Sequence, residues 1–181
     1  MAVWVLRYGH RRMRDARAST HVALTARALG AGGIIFEGDE DEGLMGRLRK
    51  IADEWGGKFE VRHTKDWQAE VERFKKRGGC FVHLTMYGLP LQENIGPIRA
   101  AKKDCLVLVG SQKVPAEAYH LADFNIAVGS QPHSEIAALA VFLDRYFEGR
   151  ELERAFEGAR RKIRPMKIGK DVFLCSDEGQ V

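Results

Sequence analysis

The sequence has few of the features that mark membrane, secreted and metal-binding proteins. It has no run of about 18 apolar residues, the length that a membrane-spanning helix needs. Its three cysteines, Cys80, Cys105 and Cys175, form no C-x-x-C pair, which argues against a disulfide framework or a zinc site. The N-terminal basic residues follow the short apolar stretch, the reverse of a secretory signal. We therefore expect a cytoplasmic protein with free thiols, no membrane span and no metal.

The sequence also lacks the two common glycine-rich phosphate loops. Neither G-x-x-x-x-G-K-[ST] nor G-x-G-x-x-G occurs. Their absence disfavours sites for nucleoside triphosphates and for dinucleotides.

What is present is an alternation of short apolar runs with amphipathic segments. The runs GIIFE (33–37), DCLVLVG (104–110) and FNIAVG (124–129) are typical of buried strands. Such strands, separated by helices, predict an α/β fold with a mostly parallel sheet and helices on both faces. The 181 residues, 45% of them hydrophobic, fit a single domain over 1–181.

At the two ends of the chain the pattern is less regular. Residues 2–8 predict a first strand, and the arginine-rich stretch that follows predicts an irregular loop to about Ser19. Residues 20–31 have helical apolar spacing, with Thr20 placed to cap the helix. The tail KDVFLCS (170–176) predicts a last strand.

The tetrapeptide VGSQ occurs twice, at 109–112 and at 128–131, each time between a strand and a helix. Glycine lets a backbone turn sharply and approach a ligand closely, while serine and glutamine offer neutral donors and acceptors. Ligands bind at the carboxyl ends of parallel strands. We therefore predict that these two loops, with the end of HLTMYGLPL (83–91), enclose one ligand. Their flanking sequences differ, which argues against an internal repeat.

Positive charge is concentrated at both ends of the chain. Residues 1–30 contain six Lys or Arg against one acid, and residues 159–170 contain six against none. Basic clusters of this kind bind RNA phosphates, although a solvated charged surface is the alternative. The predicted RNA-binding residues are Arg7, Arg11, Arg12, Arg14 and Arg17.

Four segments together resemble a known family: residues 10–31, HLTMYGLPL, VLVGSQKVPAEAY and LADFNIAVGSQPHSEIAALAVFLDR. They are similar to the archaeal tRNA ribose 2′-O-methyltransferases that modify cytidine 56 of the T loop, members of the SPOUT superfamily. The resemblance extends to about Pro165. It implies a deep trefoil knot in about residues 80–165, S-adenosylmethionine as cofactor and tRNA as substrate.

The resemblance also implies site residues. The knot would form the cofactor pocket from three loops, comprising Leu84, Thr85, Met86, Gly88, Gly110, Ser111, Gln112, Lys113, Val114, Val128, Gly129, Ser130, Gln131, Pro132, His133, Ser134 and Glu135. Arg27 occupies the position of an arginine proposed as a base in related enzymes. Arginine keeps its proton in nearly all settings, so a role in clamping the target phosphate and stabilising the developing alkoxide is preferred.

His21 and His133 stand where many relatives carry asparagine, and either histidine is a candidate for the 2′-hydroxyl proton. The apolar segment IAALAVFLDRYF (136–147) suggests a helix that pairs with a second subunit, as in SPOUT homodimers, with a buried internal helix as the alternative. Two other functions stay open: a SPOUT enzyme that modifies another tRNA or rRNA nucleotide, and an RNA-binding module without catalysis.

Overall fold

The computed structural model describes residues 2–101 and 103–175. Within these residues strands and helices alternate along the chain, as the apolar pattern predicts. The strands of the main sheet are β1 (Val3–His10), β2 (Gly33–Gly38), β3 (Glu60–Thr64), β4 (Cys80–Pro90), β5 (Cys105–Gly110) and β6 (Phe124–Ala127). The helices are α1 (Arg12–Ala28), α2 (Glu42–Trp55), α3 (Trp67–Lys76), α4 (Leu91–Ala100), α5 (Ala116–Leu121) and α6 (Glu135–Phe147).

The strands form one sheet in the order β3-β2-β1-β5-β4-β6, and each neighbouring pair is parallel. The core on one face joins apolar residues of α1, α2, α4 and α6 to the sheet. The core on the other face joins apolar residues of α3 and α5 to the sheet. The predicted α/β class, with a parallel sheet covered on both faces, is therefore confirmed.

The irregular loop predicted before Ser19 is wrong, because α1 begins at Arg12 and runs without a break to Ala28. The stretch lacks glycine and proline and is rich in arginine and alanine, which favour helix. Thr20 lies in mid-helix and donates its hydroxyl to the Ala16 carbonyl at 2.7 Å, so it does not cap the helix. The arginine cluster is thus a helical surface.

The pairing of β4 with β6 is interrupted once, and it stops and resumes opposite the same residue of β6. Ile126 of β6 is paired with Leu84 and again with Leu89, with a register shift between them. Residues 85–88 therefore bulge beyond the ladder at the carboxyl end of β4, where Tyr87 is 78% exposed.

The predicted last strand exists as β8 (Asp171–Leu174), but it lies outside the main sheet. It pairs antiparallel with β7 (Arg161–Arg164) in a C-terminal hairpin. The predicted strand residue Ser176 lies beyond the described residues. A 3₁₀ turn (Arg150–Glu153) precedes the hairpin.

The three cysteines carry free thiols, as expected. Among residues 2–101 and 103–175 no helix combines the length and apolar character that crossing a bilayer would require.

Candidate active site

A cavity of about 370 Å³ lies at the carboxyl ends of β5, β4 and β6. Both VGSQ loops and the end of β4 contribute to it, so the structure brings together the three segments singled out in the sequence. The predicted residues that line it are Leu84, Thr85, Met86, Gly110, Gln112, Val128, Gln131, Pro132, His133, Ser134 and Glu135.

The other predicted pocket residues do not line this cavity; they are Gly88, Ser111, Lys113, Val114, Gly129 and Ser130. Most of them shape the loops instead. Gly88 packs against the β6 backbone, since an added Cβ would lie 2.5 Å from atoms of Asn125 and Ile126. Val114 packs into the core on the α3 and α5 face. Gly129 has a φ of 75°, the left-handed turn that favours glycine.

Two lining residues, Ile126 and Ala138, were not predicted. Ile126 lies inside an apolar strand and Ala138 in the first turns of α6. Their sequence pattern is that of core residues, so only the packing of β6 and α6 against the loops shows that they face the cavity.

The first VGSQ loop is fastened to the end of β1. The Ser111 amide and hydroxyl both donate to the Tyr8 carbonyl, at 2.9 and 3.0 Å. An added Cβ at Gly110 would lie 2.6 Å from Val114 Cγ2 and 2.8 Å from the Gln112 carbonyl oxygen. The loop therefore folds closely onto itself, and Gly110 allows that closeness.

The second VGSQ loop leads into the N-terminus of α6. Ser134 caps this helix, its hydroxyl accepting from the Ile136 amide at 3.0 Å. His133 contacts two carbonyls, Ser134 O through Nδ1 at 3.0 Å and Val128 O through Nε2. A carbonyl only accepts, so both ring nitrogens must donate, and these two contacts raise the pKa of His133. The geometry favours the imidazolium, which has no free lone pair and does not suit the predicted role of proton acceptor.

A polar network supports Thr85 from beneath the cavity. His83 Nδ1 is 3.0 Å from Asn125 Oδ1, and Asn125 donates to the Tyr119 carbonyl at 2.9 Å. The Tyr119 hydroxyl lies 3.0 Å from Thr85 Oγ1. His83 is buried and its ring meets Tyr119 edge-on, as is typical of a structural histidine.

The predicted RNA-binding arginines separate into three environments. Arg12, Arg14 and Arg17 are exposed on the first turns of α1. Arg11 is partly exposed; it pairs with Asp15 at 2.7 Å and reaches the Ser111 carbonyl at 3.4 Å, which places the cluster beside the first VGSQ loop. Arg7 is fully buried, so the predicted contact of Arg7 with RNA is wrong for the folded chain.

Arg27 lies near the amino ends of the strands, whereas the cavity lies at their carboxyl ends. Helix α1 starts where β1 ends and runs back to the amino end of β2, and Arg27 is in its last turn. Its guanidinium donates to the Gly56 carbonyl and stacks on Phe156, 4.8 Å from the ring centroid. Within one chain, Arg27 therefore lies away from the predicted cofactor loops.

Arg27 instead borders a second cavity, of about 460 Å³, with Trp55, Phe156, Arg161 and Lys162 among its lining. Its Nε is buried without a hydrogen-bond partner, and burial lowers the pKa of Arg27. This cavity is cationic and partly aromatic. His21 is exposed in the middle of α1 and lines neither cavity.

A larger hollow, of about 640 Å³, adjoins this second cavity along Gly56–Lys58 and Arg154–Arg160. It contains none of the predicted site residues. Within the described part of the chain, no group of three or more His, Cys, Asp or Glu side chains is placed to hold a metal ion.

Comparisons with known proteins agree on one family. Residues 55–173 match the family described as tRNA ribose 2′-O-methyltransferase, aTrm56. The chain is 56% identical over 175 residues to the tRNA (cytidine(56)-2′-O)-methyltransferase of Methanocaldococcus jannaschii, covering 96% of this chain and 97% of that relative. It is 51% identical over 168 residues to the protein of the same name from Methanopyrus kandleri, covering 93% and 94%.

A similar solved structure is the SpoU methyltransferase AviRb from Streptomyces viridochromogenes, in complex with the cofactor AdoMet. The TM-score is 0.57 at 14% identity, over 83% of this chain and 58% of that longer chain. At this identity the likeness concerns the fold.

Proposed function

Since the chain belongs to the tRNA ribose 2′-O-methyltransferase family, we propose that it methylates the 2′-hydroxyl of cytidine 56 in tRNA with S-adenosylmethionine. The observation that carries the proposal is the cavity in which both VGSQ loops and the end of β4 meet. The relatives named for cytidine 56 support the choice of nucleotide.

The cavity fits the proposed cofactor in size and chemistry. Its volume of about 370 Å³ is within the range of small-molecule sites. Leu84, Ile126 and Val128 provide an apolar wall for an adenine ring. Gln112, Gln131 and Ser134 offer neutral partners for a ribose and an amino-acid carboxylate. When bound, S-adenosylmethionine supplies an electrophilic methyl group on a positively charged sulfur.

The work left to the chain is to position the target ribose and to stabilise charge as its oxygen attacks. In the proposed mechanism the exposed arginines of α1 hold RNA phosphates next to the first VGSQ loop. Arg27 stabilises the negative charge that develops on the 2′-oxygen. The cationic cavity that Arg27 borders with Arg161 and Lys162 supports this assignment, because clustered positive charge attracts an anionic group.

Arg27 can reach a cofactor only in a second subunit, so the proposal includes a homodimer in which Arg27 of one chain completes the pocket of the other. Exposed positions on α6 support this pairing. Ala137, Val141 and Arg145 recur every four residues on its surface, and Val141 is 43% exposed. Ala137 and Val141 thus place two apolar side chains on the exposed side of α6, where a second helix would bury them.

Three further parts of the proposal concern the chain as a whole. We place the knot in about residues 80–165, treat residues 1–181 as one domain, and assign the protein to the cytoplasm. The SpoU fold likeness supports the first. The near-complete coverage of the relatives supports the second, and a tRNA substrate supports the third.

The test of the function is incubation with methyl-labelled S-adenosylmethionine and unmodified tRNA, followed by digestion to locate the label. The expected product is 2′-O-methylcytidine at position 56, formed equally in excess chelator. A matched tRNA with 2′-deoxycytidine at that position should take no label, because it lacks the acceptor oxygen. Label at another nucleotide would contradict cytidine 56 as the target and favour a SPOUT enzyme with a different target. Cofactor binding without methyl transfer would favour an RNA-binding module.

Reversing the charge of Arg12, Arg14 and Arg17 to glutamate is expected to weaken tRNA binding. Each lost phosphate contact lowers the slope of log K against log salt by about 1, so the slope should fall by about 3. Cofactor affinity should not change. The matched control reverses Lys65, Arg77 and Lys103, which are also exposed but are distributed over other surfaces. Equal slopes for the two triple variants would mean that only net charge matters.

Cofactor affinity is expected to fall as pH rises through the pKa of His133. The folded loop raises this pKa, so the stabilisation that the imidazolium gives the loop is complete below the ordinary value of about 6.5 and is lost above the raised one. Calorimetry between about pH 6 and about pH 9 measures this. His133→Ala should remove this part of the pH dependence. An unchanged profile in that variant would assign the dependence to the cofactor's own amino group.

A further inference from the structure

Arg7 is the largest fully buried side chain of the described residues, with 0% exposure. It lies on the same face of β1 as Val3 and Val5, and so points to the side of the sheet covered by α1 and α6. A buried guanidinium is costly unless it is paired and hydrogen-bonded. Burial lowers the pKa of Arg7, and the Glu135 carboxylate opposes that shift.

The partners of Arg7 belong to three separate segments. Its Nη1 donates to the Gly110 carbonyl at 2.8 Å, and its Nη2 donates to Glu135 Oε1 at 2.9 Å. Its Nε lies 3.4 Å from the Ser19 hydroxyl of α1. Gly110 belongs to the first VGSQ loop, and Glu135 is the first residue of α6, into which the second VGSQ loop leads. Both residues line the cavity.

Other anchors hold each loop separately. Ser111 fastens the first loop to β1, while Ser134 and His133 stabilise the second loop internally. Among the side-chain hydrogen bonds of residues 2–101 and 103–175, those of Arg7 alone reach both loops. The planar guanidinium fixes the directions of its donors, so its position determines the spacing of the two loops.

We propose that Arg7 is a positioning residue that couples the two VGSQ loops and thereby sets the affinity of the cavity between them for the cofactor. Arg7 itself contacts neither cofactor nor RNA. The identity of the ligand rests on the proposed function, whereas the coupling of the loops does not.

The first test is hydrogen exchange on the ligand-free protein. Arg7→Met should speed amide exchange in residues 110–114 and 128–135, because the two loops lose their common anchor. Arg7→Lys should lie between Arg7→Met and wild type, since an ammonium cannot serve all three partners in the same fixed geometry. The control is Val71→Ala, which destabilises the protein by leaving a cavity in the core on the α3 and α5 side of the sheet. It should not speed exchange selectively in these two loops.

The second test is the affinity for S-adenosylhomocysteine, measured by calorimetry. Arg7→Met and Glu135→Gln should each raise Kd on the order of tenfold, because displaced loops no longer present their partners in place. The double variant should be no worse than the poorer single variant, as for two residues that act as one unit. In turnover, the rise in KM for the cofactor should exceed the fall in kcat.

Additive effects of Arg7→Met and Glu135→Gln, or an equal loss of affinity in Val71→Ala, would overturn the proposal. If Arg7→Met does not fold, Glu135→Gln and Arg7→Lys provide the same comparison. If the wild-type protein does not bind S-adenosylhomocysteine, the proposed function fails, and hydrogen exchange still decides whether Arg7 couples the loops.

Discussion

The Arg27→Ala variant is expected to methylate tRNA on the order of 100-fold more slowly than the wild type, the usual effect of removing one preorganised charge-stabilising donor. Its affinity for S-adenosylmethionine should stay the same, because the proposed partner of Arg27 is the charge that develops on the 2′-oxygen during the reaction and not the cofactor. Arg27→Lys should restore only part of the rate, since an ammonium lacks the planar fork. A single-turnover assay with saturating tRNA and cofactor measures the step.

Mixing two inactive variants tests whether Arg27 acts across subunits. If it does, a dimer of one Arg27→Ala chain and one Gly110→Val chain contains one site with both defects and one intact site. Random exchange in such a symmetric dimer should restore about a quarter of wild-type activity. If Arg27 acts within its own chain, each site has one defect and the mixture stays inactive. A near-normal rate for Arg27→Ala alone would mean that Arg27 has only a structural role, through its contacts with Gly56 and Phe156.

Gly110→Val is expected to weaken S-adenosylmethionine binding on the order of 100-fold or more. A side chain at this position displaces the first loop, and a displacement of about 1 Å is enough to cause a loss of this size. The added Cβ would lie 2.6 Å from Val114 Cγ2 and 2.8 Å from the Gln112 carbonyl oxygen. The loop must open to relieve both contacts, and Gln112 then leaves the cavity wall. Calorimetry gives the affinity, and thermal unfolding verifies that the variant is folded.

Two other glycines serve as controls for this result. At Gly129 an added Cβ meets nothing within 4 Å, although the φ of 75° strains most residues. Gly129→Asn should bind the cofactor nearly as well as wild type, because asparagine tolerates this conformation. Gly129→Val should bind weakly, because a β-branched residue does not. Gly46→Ala, on α2 where an added Cβ meets nothing within 4 Å, should leave the cofactor affinity unchanged. Equal binding by Gly110→Val and Gly46→Ala would exclude the first loop from the pocket.

The sequence patterns that predicted the fold correctly were those with a direct physical cause. Fully apolar strands between helices require a sheet covered on both faces, and the structure has one. The motifs around HLTMYGLPL and QPHSE predicted the family, which the comparisons confirm. The first half of α1 was missed because arginines at positions 11, 12, 14 and 17 obscure the apolar spacing that reveals a helix.

The arginines show the limit of reasoning from local sequence. Arg7 was grouped with its neighbours by charge, but the period of a strand places it inside, where Gly110 and Glu135 become its partners. Those partners are more than a hundred positions away in the chain, and no local pattern contains them. Arg27 was placed by its motif, yet a helix that runs back along the sheet carries its last turn away from the strand ends.

The double pairing of Ile126 with Leu84 and Leu89 has a consequence for how this protein can vary in length. Both stems of the segment 85–88 are fixed to the same partner, so added residues there extend a loop whose closure cost grows only slowly with its size. A single residue inserted before Leu84 would instead turn the buried side chains of β4 to the opposite face. The fold should therefore tolerate length changes between Leu84 and Leu89, at the cost of moving the cavity residues Thr85 and Met86, and should reject them a few residues upstream.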